Sequence, residues 1–449
     1  VTKNAFRLGA CLACAIAAAA CDLIAPDDAF ISRAHVTQVA PLVHVATIEL
    51  ARPERVTIAY GPPEGPTVQV SEEGAQTRHT VLLTRLRSNT SYRYTVHAGE
   101  DVLEGAFSTG AIDADLAALD FQTEGRAVHP LTLLEVNDGT RFRGAVVIDD
   151  SGEVVWYHRT QGALTGSTVR ADGNFVFVDL VAGLVEVTPT GEVVAQLPQS
   201  PERSIHHDVL ETESGSLLFL ATDPREVDGR TIVGDAIWEW RPGADATRRW
   251  SAFDHLSPDT DWALRSRPAD WLHANSLSVG PRGNHLVSLN FLNQIVSLTP
   301  DFTTLEWRLG GVNATVTVGA DGAFSGQHTA TELSDGRVMM FDNGFERSEP
   351  FSRGLILEVS GDKARVQEDL RPNPRNWSRA ISSALRAADG TTLILYGLSA
   401  GAAGSTGPIE AFAYDAGASA PAWHLRVPEA FSVYRATPLE TIAGETTVR

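Results

Sequence analysis

From about residue 35 to residue 110, apolar and polar residues alternate in short runs at 43–48, 55–60, 67–70, 79–83, 91–96 and 105–109, separated by Gly, Pro and Asn. Alternation sends every second side chain to one face of a strand, so these runs predict a small β-sandwich of half-buried strands. Beyond residue 120 the pattern changes to paired apolar runs around a glycine turn, as in Leu333-Ser334-Asp335-Gly336-Arg337-Val338-Met339. Such turns align at Gly173, Gly215, Gly283, Gly336, Gly390 and Gly444, with separations of 42, 68, 53, 54 and 54 residues. The longest interval holds the polar, Pro-containing run 254–268, which reads as an inserted loop. Units of this length, with several short strands, no helical period and often a final Trp-bearing strand (Trp156, Trp238 and Trp240, Trp307, Trp423), predict propeller blades. Six turn glycines predict six blades. The expected fold class is all-β: an N-terminal β-sandwich at 35–110, a linker at 110–119 and a six-bladed β-propeller at 120–449.

Three units carry histidine at the head of their first strand: Ser204-Ile205-His206-His207-Asp208, Asp270-Trp271-Leu272-His273-Ala274-Asn275-Ser276 and Gly326-Gln327-His328-Thr329. In a propeller the first strand of each blade lines the central channel, so histidines at matched repeat positions converge. Ser382 lies eight residues before Gly390, as His328 does before Gly336 and His207 before Gly215, and is expected in the channel too. His206 and His207 are neighbours on a strand, which sends them to opposite faces, so at most one should point straight inward. Asp208 is placed to orient His207, to cap a turn or to move a proton. A neutral imidazole is a good nucleophile near pH 7, and further imidazoles with the Asn275 amide supply hydrogen-bond donors for developing negative charge. Three imidazoles with an open position also suit zinc. Without a His-x-x-x-His pair or an acidic partner, no metal is assigned, and a metal-dependent hydrolase stays as an alternative.

A formal charge of −20 and a pI near 5.0 argue against nucleic acid and against a polybasic membrane face. At the N-terminus, Lys3 and Arg7 precede an apolar run too short to span a bilayer, ending in Ala18-Ala19-Ala20-Cys21. This resembles a bacterial lipoprotein signal, with cleavage before Cys21 and lipidation of Cys21. The expectation is therefore a chain secreted across the inner membrane and held at the cell envelope or periplasm by a lipid anchor, with residues 22–34 as tether. Cys11 and Cys14 would leave with the signal, so neither a disulfide nor a cysteine nucleophile is available.

Leu83-Thr84-Arg85-Leu86-Arg87-Ser88-Asn89-Thr90-Ser91-Tyr92-Arg93-Tyr94 resembles the segment of fibronectin type III domains that holds the tyrosine corner. No chemistry is assigned to that domain. The propeller resembles the bacterial arylsulfate sulfotransferase family through Gly152-Glu153-Val154-Val155-Trp156-Tyr157, His206-His207-Asp208, Asp270-Trp271-Leu272-His273-Ala274-Asn275-Ser276, Trp307-Arg308-Leu309-Gly310-Gly311, Gln327-His328, Phe341-Asp342-Asn343-Gly344 and Leu393-Ile394-Leu395-Tyr396-Gly397. The resemblance implies ping-pong transfer of a sulfuryl group from a phenolic sulfate ester to a phenol through a sulfohistidine, with no cofactor. It also implies His328 as nucleophile, and His207, His273, His206 and Asn275 as holders of the sulfuryl oxygens.

One position departs from the family. In the run Val287-Ser288-Leu289-Asn290, Asn290 stands where an arginine is expected. An amide donates no charge, and charge-assisted hydrogen bonds are worth roughly 1.5–3 kcal/mol against about 1 for neutral ones. Arg379, in Ser378-Arg379-Ala380, is the cation the sequence offers as a substitute. Asn290 also favours an alternative of a different class, a non-catalytic propeller that binds a ligand or an envelope partner. The oligomeric state is left open.

Overall fold

The computed structural model describes residues 23–24, 30–72, 74–139, 141–373, 375–398, 407–428, 432–443 and 446–447. The expected signal with Cys21, and the expected turn glycine Gly444, lie outside these described residues. The chain is a two-sheet sandwich followed by a six-bladed propeller. In the sandwich, Ile31–Ala40, Val43–Glu54 and Gln76–Leu83 form one sheet; Val68–Ser71, Thr57–Gly61, Ser91–Ala98 and Asp101–Ser108 form the other. Every second residue turns inward, and Ile48, Ile58, Leu83 and Val96 are fully buried between the sheets. At its corner, the Tyr92 hydroxyl accepts a hydrogen bond from the Arg87 N–H at 2.7 Å.

Three boundaries differ from expectation. The first long strand begins at Ile31, inside the stretch read as tether, because Ile31, Ala34 and Val36 already face the core. The linker is not free: Ala114–Ala117 is a single helical turn whose Leu116, with Leu119, packs into the core of the first and last blades. At the other end, Thr446–Thr447 leaves the propeller and pairs with Val68–Ser71 at the sandwich edge.

Each blade is built on four antiparallel strands, with Thr317–Val318 added in parallel at the outer edge of one. The six inner strands are Leu164–Val169, Ile205–Glu211, Ala274–Val279, His328–Glu332, Ser383–Arg386 and Ser432–Leu439, each packed on the next around the channel. Five of the aligned glycines turn the hairpin after an inner strand, all with φ between 76° and 88°: Gly173, Gly215, Gly283, Gly336 and Gly390. The first blade is split between the chain ends. Its inner strand Ser432–Leu439 pairs with Leu131–Asn137 from the start of the propeller. A second closure brings Gln122–Gly125 to the outer edge of the last blade, against Trp423–Val427. Trp238 and Trp240 sit on the third strand of their blade, Arg230–Trp240, and the fourth, Thr247–Ser251, carries Trp250.

Inner strands are stitched across blades by one repeated device, a short polar side chain accepting from the next blade's backbone. Asp208 accepts from Leu277 N–H, Ser276 from Ala330 N–H, Thr329 from Ala384 N–H and Ser383 from Ala436 N–H. These four acceptors fix the register. Each follows the residue eight before a turn glycine, so the matched positions are His207, Asn275, His328 and Ser382. His273 is two residues ahead of its matched position, which Asn275 holds.

Candidate active site

The histidines meet at the heads of neighbouring inner strands. The His207 ring lies 4.9 Å from that of His206 and 4.7 Å from that of His273, centroid to centroid. The Tyr434 ring stands between, 6.0 Å from His207 and 6.3 Å from His328. Local backbone bends make this possible: His207 and His273 have φ of 60° and 53°, and Thr329, after His328, has 49°. The left-handed region is uncommon for such residues, and strand pairing shifts register between His206 and Val209. That bulge breaks the alternation expected of His206 and His207. Both rings therefore face one another, with their Nδ1 atoms 2.8 Å apart, one donating and the other accepting. His206 Nε2 is 3.2 Å from Asp235 Oδ1, an ion-pair separation outside hydrogen-bond alignment.

The tautomer of His328 follows from its neighbours. Its Nδ1 is 2.8 Å from Asn343 Oδ1 and 3.1 Å from the Gly326 carbonyl. Asn343 is itself oriented, because its amide nitrogen donates to the Ser378 and Ile381 carbonyls. Two acceptors at Nδ1 require the hydrogen there, which leaves the lone pair of the neutral ring on Nε2. Burial, the neighbouring His273 and the Arg265 charge hold the His328 pKa down at about 3, against the Asn343 and Gly326 hydrogen bonds that raise it. His207 is likewise held well below the usual histidine range, by burial first and then by the other imidazoles and Arg435. His273 differs: its Nδ1 donates to Asp270 Oδ2 at 2.7 Å, and its ring stacks on Phe291 at 4.7 Å.

The expected amides are turned away from the channel. Asn275 and Asn290 both donate to the Gln327 carbonyl, at 2.8 Å and 2.9 Å, and so grip the peptide that carries His328. They position His328 where the sequence suggested direct contact with substrate. The Ser382 hydroxyl donates to Ser378 Oγ at 2.8 Å and accepts from Gly397 N–H, so it is used within its own blade. Asp208 binds Leu277 N–H and Arg435 Nη1, both at structural positions between blades. Also buried there is Glu135, which accepts from Ser167 Oγ at 2.6 Å. Burial pushes the Glu135 carboxyl up to about 7 in spite of Arg435.

The model of one protein family, arylsulfotransferase (ASST), matches residues 120–435, which spans all six blades. The chain belongs to the arylsulfotransferase family. No curated protein matches it significantly. Among solved structures, a protein of unknown function from Bacteroides caccae is similar at 13% identity and TM-score 0.47, covering 70% of this chain and 100% of that one. Virginiamycin B lyase from Staphylococcus aureus, a catalytically inactive variant with quinupristin, follows at 10% identity and TM-score 0.38, covering 69% and 99%. A luciferin-regenerating enzyme is similar at 9% identity and TM-score 0.37, covering 72% and 100%. Likeness this distant leaves the blade count resting on the sheet order.

Within this arylsulfotransferase site the sequence missed four side chains. Asp270 and Asn343 stood inside quoted motifs without a role, although Asp270 lies three residues before His273. Tyr434 lies ten residues before Gly444, as His273 does before Gly283, and that count would have found it. Its buried hydroxyl has no hydrogen-bond partner among the described residues. Arg265, in the inserted loop, carried no signal. Its Nη1 donates to Asn290 Oδ1 at 2.7 Å, and its Nη2 to Asn293 Oδ1 at 2.9 Å and to the Asn290 carbonyl. Arg379, the cation expected near the histidines, is exposed, and no hydrogen bond or ion pair joins it to them among the described residues. Its segment belongs to the rim of the last blade, where the chain faces solvent. No group of three or more His, Cys, Asp or Glu among the described residues is arranged to hold a metal.

Proposed function

We propose that the protein is an aryl sulfotransferase working through a sulfohistidine at His328 Nε2, with a phenolic sulfate ester as donor and a phenol as acceptor. The observation that carries this reading is the locked tautomer of His328, a buried neutral ring with Nδ1–H held by Asn343 and Gly326 and a lone pair on Nε2. In the first half-reaction Nε2 attacks sulfur, the N–S bond forms and the S–O bond to the aryl group breaks. The departing aryl oxygen takes the bonding pair and a proton. In the second half-reaction the phenol oxygen attacks sulfur, the N–S bond breaks, its pair returns to Nε2, and the phenol proton passes to a base. His273 fits the acid–base role, because Asp270 holds its Nδ1–H and leaves Nε2 to give and take the proton. With His206 donating the hydrogen between the two Nδ1 atoms, His207 carries its own on Nε2 and offers it to a sulfuryl oxygen.

The test is intact-mass spectrometry of the soluble domains after brief exposure to 4-nitrophenyl sulfate, beside His328→Ala. A sulfuryl adduct on wild type alone is expected, with a loss of about 10³-fold or more in transfer rate for the variant. No adduct and no nitrophenol burst across a series of aryl sulfates would leave a ligand-binding propeller as the better reading. The same reading keeps the chain outside the cytoplasm on a lipid at Cys21, supported by residues 1–21 alone. Incorporation of labelled palmitate, lost in Cys21→Ser, tests it.

A further inference from the structure

The donor in this reaction is an anion, yet the groups around His328 are poor in positive charge. His328 and His207 are held neutral. Arg435 is paired with Asp208, and Asp270 adds a negative charge beside His273. Arg265 is the exception. It reaches back from the insertion between the third and fourth blades, and its guanidinium is clamped by Asn290 and Asn293. Two rings flank it, Phe291 at 5.2 Å and Phe345 at 5.0 Å from Cζ. None of its hydrogen-bond acceptors is a carboxylate, the nearest acting on it being Glu346 behind Asn293, and its Nε–H is buried with no acceptor among the described residues. A methyl group placed on Gly326 would come within 3.5 Å of Arg265 Nη1, so the guanidinium lies against the residue whose carbonyl holds His328 Nδ1.

We propose that Arg265 is the cation that binds the sulfate group of the donor, seated by Asn290 in the place where an arginine side chain would otherwise stand. A guanidinium clamped on neutral oxygens keeps its full charge for a ligand, whereas one paired with a carboxylate does not. Asn290 supplies two acceptors to this cation, its side-chain oxygen and its backbone carbonyl; an arginine there would lose the first and set like charges side by side. The insertion and the departure at Asn290 are thus two halves of one arrangement. The Phe291 ring that flanks Arg265 also stacks on His273, so the cation, the aromatic wall and the acid–base histidine share one edge of the site.

The proposal rests on the aryl sulfate reading, and it is tested by binding so that the two can fail separately. In a His328→Ala background, which cannot transfer, calorimetry would measure the affinities of 4-nitrophenyl sulfate and of neutral phenol, with Arg265 as found, as Lys and as Gln. Arg265→Gln is expected to weaken 4-nitrophenyl sulfate by about tenfold or more, Arg265→Lys by less, and neither to change phenol binding appreciably. Equal losses for both ligands, or equal losses for Lys and Gln, would make Arg265 a structural clamp and overturn the proposal. Undiminished sulfate ester binding in Arg265→Gln would do the same. Charge-dependent binding in a wild type that never forms the His328 adduct would remove the transferase reading and leave this cation in place. Titrations of the same Arg265 variants without the His328 change repeat the comparison should His328→Ala fail to fold.

Discussion

A single hydrogen atom decides what His328 can do, and its position is fixed by groups that do no chemistry themselves. Asn343 and the Gly326 carbonyl claim Nδ1–H, while Asn275 and Asn290 hold the preceding peptide by its carbonyl. His273 is arranged in the same way by Asp270, with a carboxylate in the place of the neutral Asn343 amide. In the proposed reaction this difference divides nucleophile from proton donor between two chemically identical side chains. Asp270→Asn should therefore lower kcat by about 100-fold or more, because an amide can set the wrong His273 tautomer. The loss should be larger for phenyl sulfate than for 4-nitrophenyl sulfate, whose phenolate leaves without help. A uniform loss across leaving groups would assign Asp270 to structure. The three histidines were legible in the sequence, and so was their convergence. The roles of Asp270 and Asn343 were not, because each depends on a left-handed or oriented neighbour that no residue pattern encodes.

At the scale of the strand, the site exists because inner strands are bent at their heads. Alternation predicted opposite faces for His206 and His207, and a regular strand would have obeyed it. With φ of 60° at His207 and a register shift after His206, the two rings instead share a hydrogen bond. The bend needs room in the neighbouring blade. Gly166 provides it, since a Cβ there would sit 2.3 Å from the His207 carbonyl and 2.9 Å from the Asp208 Cα, both backbone atoms. Gly166→Ala should destabilise the propeller by about 1–3 kcal/mol, the range for overpacking a close-fitted contact. It should also reduce kcat/KM more than Ala163→Gly, a change just before the same strand without the clash, and thermal melts beside steady-state rates would show it. An unchanged melting temperature and rate would mean that the two strands can part without moving His207. The glycine turns that gave the blade number were readable because hairpins impose local rules. The close approach at Gly166 was not, because it links residues from different blades.

For the whole molecule, closure and charge act together. The propeller is shut by its last long strand, Ser432–Leu439, and this strand brings Tyr434 and Arg435 into the channel wall. The repeat count foretold six units, but a repeat count does not say which end of the chain supplies the inner strand. Closure thereby buries Arg435 with Asp208 and Glu135, and three buried groups around the channel, Glu135, His207 and His328, give stability opposite pH slopes. Glu135 binds its proton more tightly folded than unfolded, with the pKa raised from 4.5 to about 7. Its contribution is complete below pH 4.5 and lost as pH rises through 7. His328 and His207 are depressed from 6.5, His328 to about 3, so their contribution is complete above 6.5 and lost as pH falls. Two histidines outweigh one carboxyl on the acid side, which puts the optimum from these groups near pH 6.5. Ionising Glu135 removes roughly 3 kcal/mol above pH 7, at about 1.4 kcal/mol per tenfold change in proton affinity. Glu135→Gln keeps an acceptor for Ser167 and cannot ionise. It should raise the melting temperature clearly at pH 8 and little at pH 4.5, and an equal gain at both would mean that Arg435 already compensates the buried carboxylate.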